Sequence, residues 1–498
     1  MELWQSIPFA CILLPLGSAA ATAVLKPRAA KAWTTLVTAI LCGASAVFLG
    51  IMLQSGTVYT YPMGHFPAPW GNELRAGVLE AVAGLFFSLV LLLSQLGGLR
   101  RQGRDILRDK QPLFCATLLL LLTALMAQTY TNDIFTAYVF LEIMTIAACT
   151  MMTARTDGRT LVAATRYMIL NLVGSGLFLL GIAILYCLTG HLLMEQAGES
   201  VLRIYRSGEY HLPMQIVVGL MTVGLAVKSA LLPFHTWVPD AYSYATPTGQ
   251  AALSSLVCKG YIFLLMKIYI RVFGFEVLSD QHMARILFLF ALAAMVIGSA
   301  EAIRQTDIRR MIAYSSVAQI GYIYMGIGLG TEAGMAAAFY HLIGHGICKS
   351  MLFIAADSLS AVNGGRWHIQ ELRGAGYRAP MAGIAFSVGA MSMVGFPFLP
   401  GFTSKLNFAA AGLAKGGTRM WMIFGGLVIS TLLNSLYYLP AMIALWRRDS
   451  AEETVREYRR EGWLYRVSMG GFVALNLLTG LFSQWVMDAI DSGMSLFG

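Results

Sequence analysis

The stretch VGLAVKSALLPFHTWVPD, residues 223–240, places a lysine and two prolines within a long apolar run. A helix through the residues before Lys228 would hold the lysine amine in hydrocarbon. Pro233 and Pro239 each remove a backbone hydrogen-bond donor, so a helix break is expected just after the lysine. The stretch therefore predicts a membrane helix that is interrupted beside a buried charge.

The composition of the whole chain agrees with a membrane protein. Its 498 residues are 57% hydrophobic and 12% charged, whereas soluble domains are about 25% charged. Many apolar runs reach the roughly 20 residues that a helix needs to cross a bilayer, and they lack the alternation of barrel strands. The first run, beginning near Ile7, has no basic leader and no clear cleavage site, and we interpret it as a retained helix.

The net charge and the cysteines exclude several other classes of protein. A formal charge of +9 is compatible with nucleic-acid binding, but the basic residues cluster in short loops between spans, as membrane topology requires. We therefore expect no nucleic-acid partner. The seven cysteines lie mostly inside apolar runs and none has C-x-x-C spacing, so iron–sulfur, zinc and disulfide frameworks lack support. We expect no cofactor in this chain.

Charged and Pro/Gly-rich breaks divide the chain into about fourteen predicted spans. The region 380–412 is either one broken span or two. The approximate centres of the spans are Leu13, Leu41, Phe86, Leu119, Phe140, Phe178, Leu220, Leu264, Leu292, Tyr322, Ile343, Val388, Leu432 and Ala474.

The loop charges predict the orientation of these spans. Lys and Arg are concentrated after odd-numbered spans, and the most charged of these loops, 447–460, is predicted to be a solvated cytoplasmic helix. The long loop near Glu195 is poorer in basic residues, whereas the loop after the eighth span, with Lys267, Arg271 and Arg285 nearby, is an exception. The positive-inside rule places both termini on the outer side of the cell (inner) membrane.

Several ionisable side chains lie inside the predicted spans. Each costs about 2.5–3.5 kcal/mol at mid-membrane on insertion scales, so such residues are rarely kept without a purpose. Glu142 lies nine residues past Asp133, hence roughly 13 Å deep in a helix. His341, His345 and Lys349 are spaced i, i+4 and i+8, which places them on one helical face. The remaining members of this set are Lys228, Lys259 in SSLVCKGYIFLLM and Lys405 in GFPFLPGFTSKLNF.

The set favours a proton relay over a structural role. A lone lysine can snorkel to the interface and a lone histidine can hydrogen-bond a neighbouring helix, but several members lie near span centres and cannot all snorkel. Glu142 and Lys228 would control each other's protonation if they touch, and histidine titrates near neutral pH. Zinc bound by His341 and His345 is the alternative for that pair, with no third ligand evident.

A second break repeats the pattern of the first. The segment GFPFLPGF, residues 395–402, interrupts the twelfth predicted span with Pro397 and Pro400, just before Lys405. One proline kink proves little, but a break beside a buried lysine occurs here twice, five spans apart. This arrangement is typical of inverted-repeat transporters, in which the binding sites lie at the breaks.

Six segments together resemble the antiporter-like subunits shared by respiratory complex I, membrane-bound (group 4) hydrogenases and Mrp-type sodium/proton antiporters. The resemblance implies an all-α polytopic membrane fold of about fourteen helices with two broken helices. It also implies two inverted five-helix repeats, 113–273 and 286–445, between N-terminal helices (1–112) and a cytoplasmic loop with a C-terminal helix (446–498). The segments are PAPWGNELRAGVLEAVAG, NDIFTAYVFLEIMTI, KSALLPFHTWVPDAYSYATP, RQTDIRRMIAYSSVAQIGY, HLIGHGICKSMLFI and GFPFLPGFTSKLNF, in family order from about residue 67 to 408.

The resemblance implies a role in proton transfer for each intramembrane residue. The matching positions are the paired glutamate and lysine Glu142 and Lys228, the break histidine His235, the central lysine Lys259, the bridging His341, His345 and Lys349, and the terminal lysine Lys405. The chain stops soon after its last predicted span, so the long lateral helix of the largest complex I member is not expected. Departures after the first break, in WVPDAYSYATP, favour a hydrogenase-type or Mrp-like complex.

Three functions are compatible with these residues. The first is a proton-translocating, non-redox subunit of a redox-driven membrane complex, and the second is a sodium/proton antiporter subunit without redox drive. The third is a membrane scaffold whose charges only hold helices in register; it predicts that neutralising Glu142 lowers assembly and leaves turnover per complex unchanged. The expected partners are other membrane subunits, the lipid bilayer, and protons or sodium ions.

Overall fold

Apolar runs form helices along the whole chain, as seen in a computed structural model that describes residues 3–66, 71–155, 157–280, 282–447 and 461–497. The helices of the first half are α1 (Ile7–Ala23), α2 (Pro27–Ser55), α3 (Val78–Asp105), α4 (Gln111–Tyr130), α5 (Ile134–Thr153), α6 (Gly158–Thr189), α7 (Met194–Ser207), α8 (His211–Lys228), α9 (Val238–Tyr244), α10 (Pro247–Ala252), α11 (Cys258–Ile268) and α12 (Gly274–Asp280).

The second half continues in the same way. Its helices are α13 (His282–Ile303), α14 (Ile308–Gly328), α15 (Glu332–Ala361), α16 (Ala375–Arg378), α17 (Pro380–Val394), α18 (Pro400–Lys415), α19 (Gly417–Trp446), α20 (Trp463–Leu481) and α21 (Ser483–Phe497). Short 3₁₀ turns (Leu3–Ser6, Met63–His65, Phe234–Trp237, Ile369–Leu372) and π-helical segments (Leu253–Val257, Tyr269–Phe273) lie between them.

Capping residues set several helix ends. The Asp133 carboxylate accepts the backbone N–H of Thr136 at the start of α5, and the Thr331 hydroxyl accepts the N–H of Gly334 at the start of α15. Gly190 ends α6 in the left-handed conformation that favours glycine. These local signals fix the lengths of the helices that carry the intramembrane charges.

The prediction of a polytopic helical membrane fold is confirmed. All fourteen predicted centres lie within helices, and eleven of the helices in the described ranges are long and apolar enough to cross a membrane. Three predicted spans are outside that group. Helix α14 carries several polar residues, and the spans that contain α11 and α17 are each divided into shorter helices. The total of fourteen spans and the inverted repeats remain predictions.

Both predicted helix breaks are present. Helix α8 ends at Lys228, and the chain passes through a 3₁₀ turn at Phe234–Trp237 before α9 begins. Helix α17 ends at Val394, and α18 begins at Pro400. The region 380–412 therefore consists of two helices separated by a short non-helical segment.

Three features of the backbone differ from the sequence prediction. A short antiparallel hairpin, β1 (Tyr59–Pro62) with β2 (Glu73–Ala76), pairs Thr60 with Arg75, so the described chain is not entirely helical. The loop predicted near Glu195 contains the amphipathic helix α7. The eighth predicted span is divided by two π-helical segments. Their wider turns cannot be predicted from the periodicity of apolar residues.

Lys267 and Arg271, which are counted among the basic residues near the loop after the eighth span, both lie in helical segments of that span. Both side chains are buried, Lys267 in α11 and Arg271 in the π-helical segment after it. The Lys267 amine donates to the carbonyls of Thr129 and Thr131 at the end of α4, at 2.7 and 2.5 Å. Arg271 forms an ion pair with the fully buried Glu80. The apparent exception to the loop-charge rule is thus a buried ionic cluster.

Helices α4 and α15 form the centre of the molecule. In the most apolar 18-residue stretch of each helix, 89% of the residues of α4 and 94% of those of α15 are buried, compared with 28% in α20. Helix α15 packs against α14, α17 and α18, and α3 packs against α2 and α20. Of the predicted solvated helix at 447–460, residues 448–460 lie outside the described residues, as do residues 67–70 of the first family-like segment.

Candidate functional site

The predicted pair of Glu142 and Lys228 is in contact. The Lys228 Nζ lies 3.3 Å from Oε1 of Glu142, with the lysine side chain completely buried and the carboxylate about one-quarter exposed. The Ser175 hydroxyl, on α6, also donates to this carboxylate. The pair joins α5 to the end of α8, directly before the first break.

Hydroxyl groups extend the polar contacts from Lys228 towards α11. The Lys228 amine donates to the Thr145 hydroxyl at 2.8 Å, and Thr145 lies 2.9 Å from the hydroxyl of Tyr261. Tyr167 lies 3.3 Å further on, hydroxyl to hydroxyl. Because each hydroxyl can accept and donate, this series can pass a proton between the paired lysine and the helix of Lys259.

A glycine contact holds α6 against α8 beside the lysine. A Cβ atom added to Gly174 would lie 2.8 Å from the carbonyl oxygen of Gly224 and 3.1 Å from Cγ of Lys228. A Cβ on Gly224 would lie 2.7 Å from the carbonyl oxygen of Gly174. The two backbones can approach this closely only without side chains, and the approach packs the lysine stem between the helices.

Lys259 is buried at the start of α11, next to a π-helical segment. Its Nζ donates to the carbonyl oxygen of Ser254 at 2.5 Å, and Ser254 belongs to that segment. Helix α11 packs against α8, which ends at Lys228, and against α15, which carries His341 and His345. The helix of Lys259 therefore contacts both the helix of the paired lysine and the helix of the histidines.

The two histidines of α15 form a stacked pair in the interior. Their ring centroids are 5.8 Å apart, and both side chains are buried. The Nδ1 of His341 lies 2.5 Å from the Ser404 hydroxyl on α18, while both ring nitrogens of His345 lack a hydrogen-bond partner among the described residues. Buried polar atoms are normally hydrogen-bonded, so the His345 ring is an exception among the buried polar side chains of this region.

Lys349 completes the polar face of α15. Its amine donates to the carbonyl of Ile312 at 2.9 Å, to the Tyr438 hydroxyl at 3.2 Å and to the Ser315 hydroxyl. Ser315 and Tyr438 are themselves 2.7 Å apart. The lysine of the second half is thus held by hydroxyls, as Lys228 is in the first half.

Lys405 lies at the second break. Its Nζ donates to the carbonyl of Val394, the last residue of α17, at 2.5 Å, which places a cation at a helix C-terminus. Gly395 turns the chain away at φ +96, and a Cβ there would lie 2.7 Å from the Lys405 Nζ. The break, its glycine and the lysine form one local unit.

Replacing Gly395 with alanine is expected to disturb this unit. The left-handed conformation costs an ordinary residue about 1–2 kcal/mol, and the added methyl group displaces the amine from Val394. We expect a lower midpoint of thermal unfolding and faster modification of Lys405 by an amine reagent. Gly43→Ala is the matched control, because a Cβ at Gly43, inside α2, meets nothing within 4 Å. Equal behaviour of the two variants would contradict the expectation.

His235 and the zinc alternative have less support from the geometry. His235 lies in the 3₁₀ turn of the first break, partly exposed, with Glu301 as an electrostatic neighbour. Within the described ranges, no group of three His, Cys, Asp or Glu side chains could hold a metal ion. The histidine pair of α15 therefore has no third zinc ligand in this part of the chain.

Apart from Lys349, the remaining predicted residues can be placed in one order through the interior, here called the line, whose two ends, Glu142 and Lys405, are partly exposed. It begins at Glu142 and Lys228, passes Lys259 and the histidines of α15, and reaches Lys405 through Ser404, which precedes it in α18. The prediction did not include the hydroxyls of Thr145, Tyr261 and Ser404. These side chains are common in apolar helices, and only their proximity to the lysines distinguishes them.

Known proteins match this chain over most of its length. The family described as NADH:quinone oxidoreductase/Mrp antiporter, TM, matches residues 131–432. NADH-quinone oxidoreductase subunit N of Desulforudis audaxviator (strain MP104C) is 32% identical, over 87% of this chain and 85% of that protein. A Na(+)/H(+) antiporter subunit of Bacillus subtilis (strain 168) is 27% identical, over 93% and 90% of the two chains.

Solved structures share the fold over nearly the full length. A chain of the membrane-bound sulfane sulfur reductase, an archaeal respiratory membrane complex, has a TM-score of 0.87 at 25% identity, covering 99% of this chain and 98% of that one. A chain of the Mrp complex from Dietzia sp. DQ12-45-1b has a TM-score of 0.87 at 21% identity, covering 99% and 97%. The chain belongs to the family of NADH:quinone oxidoreductase and Mrp antiporter transmembrane subunits.

Proposed function

We propose that this chain is the proton-translocating, antiporter-like subunit of a multi-subunit membrane complex. The observation that carries the proposal is the contact between Glu142 and Lys228 at a helix break, continued by buried hydroxyls and amines into the second half of the chain. Five of the predicted side chains, Lys228, Lys259, His341, His345 and Lys349, are at most 3% exposed. Such residues are retained in membranes for ion pathways.

The contacts suggest the order of proton transfers. A proton on the Lys228 amine is stabilised by the Glu142 carboxylate. When that ion pair opens, the proton can pass through the hydroxyls of Thr145 and Tyr261 towards Lys259. The stacked histidines then connect Lys259 to Ser404 and Lys405, with water at the unpartnered nitrogens of His345. The proposed transfers move protons without oxidation or reduction, so their driving force would come from partner subunits.

Two sources of driving force are supported by the relatives. A quinone oxidoreductase subunit and an archaeal respiratory complex are similar to this chain and favour redox drive. The Na(+)/H(+) antiporter subunit of Bacillus subtilis aligns over 93% of the chain and favours an Mrp-type sodium/proton antiporter as the alternative. Subunits that co-purify distinguish the two: iron–sulfur or hydrogenase subunits support redox drive, and small antiporter subunits support exchange.

The membrane location completes the proposal. We place the chain in the cell (inner) membrane, with the Arg-rich ends of α3 and α13 in the cytoplasm and both termini outside. A cysteine introduced at Ser492, which is exposed on α21, tests this orientation. Labelling by an impermeant thiol reagent in intact cells supports the placement, and labelling only in inverted vesicles contradicts it.

Lys405→Ala is expected to stop proton translocation with little effect on assembly. The variant removes the last amine of the line. The hydrogen-bond partner of Lys405 is the backbone carbonyl of Val394, so the substitution leaves no buried charge unpaired and the complex is expected to assemble. Translocation is measured by quenching of a pH-sensitive dye in inverted membrane vesicles, energised by the reaction that the co-purifying subunits identify. A complex that still pumps at the original rate would exclude Lys405 from the pathway.

A further inference from the structure

A groove runs along α3 between α2 and α20. At one end, a cavity of about 450 Å³ is lined by Lys31 of α2, by residues 96–104 of α3 and by residues 461–465. Towards the other ends of these helices, a cavity of about 340 Å³ is lined by residues of α2, α3, α15, α20 and α21, among them Leu53, Val82 and Trp485. Helix α3 packs on both α2 and α20 and forms the floor of the groove.

The first cavity is basic. Arg100 and Arg104 are exposed at its edge. The Lys31 amine lies against α3, because a Cβ on Gly103 would be 3.3 Å from its Nζ. Arg101 also lines the cavity but is already paired with Asp357 at 2.7 Å. The fork of arginine donors matches the oxygens of a phosphate group, so this end is suited to a phosphate headgroup.

The acidic side chains of the cavity do not cancel this charge. Asp357 is compensated by Arg101, with which it shares a hydrogen bond. Glu461 accepts the backbone N–H of Ala382 at 3.3 Å, and burial raises the pKa of its carboxyl group. The mouth of the groove therefore has an excess of positive charge, contributed by Lys31, Arg100 and Arg104.

The second cavity is apolar and lies mainly in the opposite leaflet. It is lined by Leu, Val, Phe and Ile side chains with Thr479 as a polar member. Val90, the α3 residue of this cavity nearest to the basic end, is ten residues from Arg100. This separation corresponds to about 15 Å along a helix and to half of a hydrocarbon core of about 30 Å, so the acyl chains of a lipid bound at Arg100 reach only the near edge of the cavity. Trp463 is 72% exposed at the basic end, where aromatic residues mark a membrane–water interface.

We propose that this groove is a binding site for an anionic phospholipid, whose headgroup phosphate contacts Arg100, Arg104 and Lys31 and whose acyl chains lie along α3 and α20. The positive charge of the first cavity favours such a lipid over a zwitterionic one. The α3 surface between the two cavities, partly exposed at Leu92 and Leu96, has the depth of its acyl chains. The site is separate from the buried line of lysines and histidines, so this proposal does not depend on the proposed function.

Photolabelling of the assembled complex tests the site. The probe is phosphatidylglycerol with a diazirine near the end of one acyl chain, incorporated into vesicles of phosphatidylcholine. We expect labelled peptides from α3 and α20, and several-fold less labelling when the diazirine is carried by phosphatidylcholine. The double variant R100Q/R104Q is expected to lower the phosphatidylglycerol labelling on the order of tenfold, because each basic residue contributes separately to anionic-lipid binding.

Matched variants make the result decisive. R159Q/R366Q removes the same charge from exposed arginines outside the groove and is expected to change nothing. If R100Q/R104Q does not assemble, K31Q is the milder test, with an expected reduction of about fivefold. Equal labelling by both lipids, equal labelling of variant and control, or labelling only after the partner subunits are removed would overturn the proposal. The last result would assign the groove to a partner.

Discussion

Proton translocation is expected to fall by on the order of a hundredfold when Lys228 is replaced by alanine in the assembled complex. The amine is the group that contacts both the Glu142 carboxylate and the Thr145 hydroxyl, so its removal separates the charged pair from the hydroxyl series. The rate is measured by dye quenching in inverted vesicles, per assembled complex. Lys415→Ala, at an exposed lysine at the end of α18, is the matched control.

Lys228→Arg distinguishes proton exchange from simple charge balance. Arginine keeps the positive charge beside Glu142 but does not release its proton in a protein. If Lys228 carries the transported proton, this variant is expected to assemble and to be as inactive as the alanine variant. If the lysine only holds α5 and α8 in register, the arginine variant should translocate protons. Normal activity of either variant would remove Lys228 from the pathway.

The largest effect on stability is expected from Arg271→Met, outside the proposed pathway. Arg271 is paired with Glu80, donates to the carbonyl oxygen of Phe497 at 3.1 Å and lies 4.3 Å from the Phe497 ring. Methionine leaves the Glu80 carboxylate buried without its counter-charge, and breaking a buried pair in this way costs about 3–5 kcal/mol. Unfolding of the detergent-purified protein by heat or denaturant measures the loss.

A second variant separates the buried charge from the lost contacts. E80Q/R271M removes both charges, so it is expected to recover a large part of the stability that Arg271→Met loses. Arg206→Met is the control, because Arg206 and its partner Glu276 form an exposed ion pair at 2.9 Å and exposed pairs contribute little. Similar losses for Arg271→Met and Arg206→Met would contradict the assignment of a stabilising cluster.

The sequence predicts the helix breaks and the intramembrane charges well, for a physical reason. A proline removes a hydrogen-bond donor in any fold, and Lys228 follows a long apolar run that can be read directly from the sequence. The contact between Glu142 and Lys228 can be inferred only conditionally, since two residues 86 positions apart meet through the packing of α5, α6 and α8. Gly174 and Gly224 allow the close packing of α6 against α8. The positions of these glycines in the sequence do not show which two helices pack together.

Lys267 and Arg271 show where the loop-charge rule fails. A basic residue near the end of an apolar run has the same local sequence whether it faces water or the protein interior. In this chain its partners come from distant segments: Glu80 from α3 and the carbonyls of Thr129 and Thr131 from the end of α4. The π-helical turns of the same region are also not predicted, because they change the backbone path without changing the apolar composition.

The π-helical segment at Leu253–Val257 has a consequence for how Lys259 can move. A turn of this kind accommodates one residue more than the surrounding α-helix, and a residue corresponds to about 100° of rotation. Migration of the distortion along the helix by a few positions would swing the amine from the Ser254 carbonyl to another side, while Pro247 and Phe273 stay in place. Such a migration would turn the Lys259 side chain without displacing whole helices.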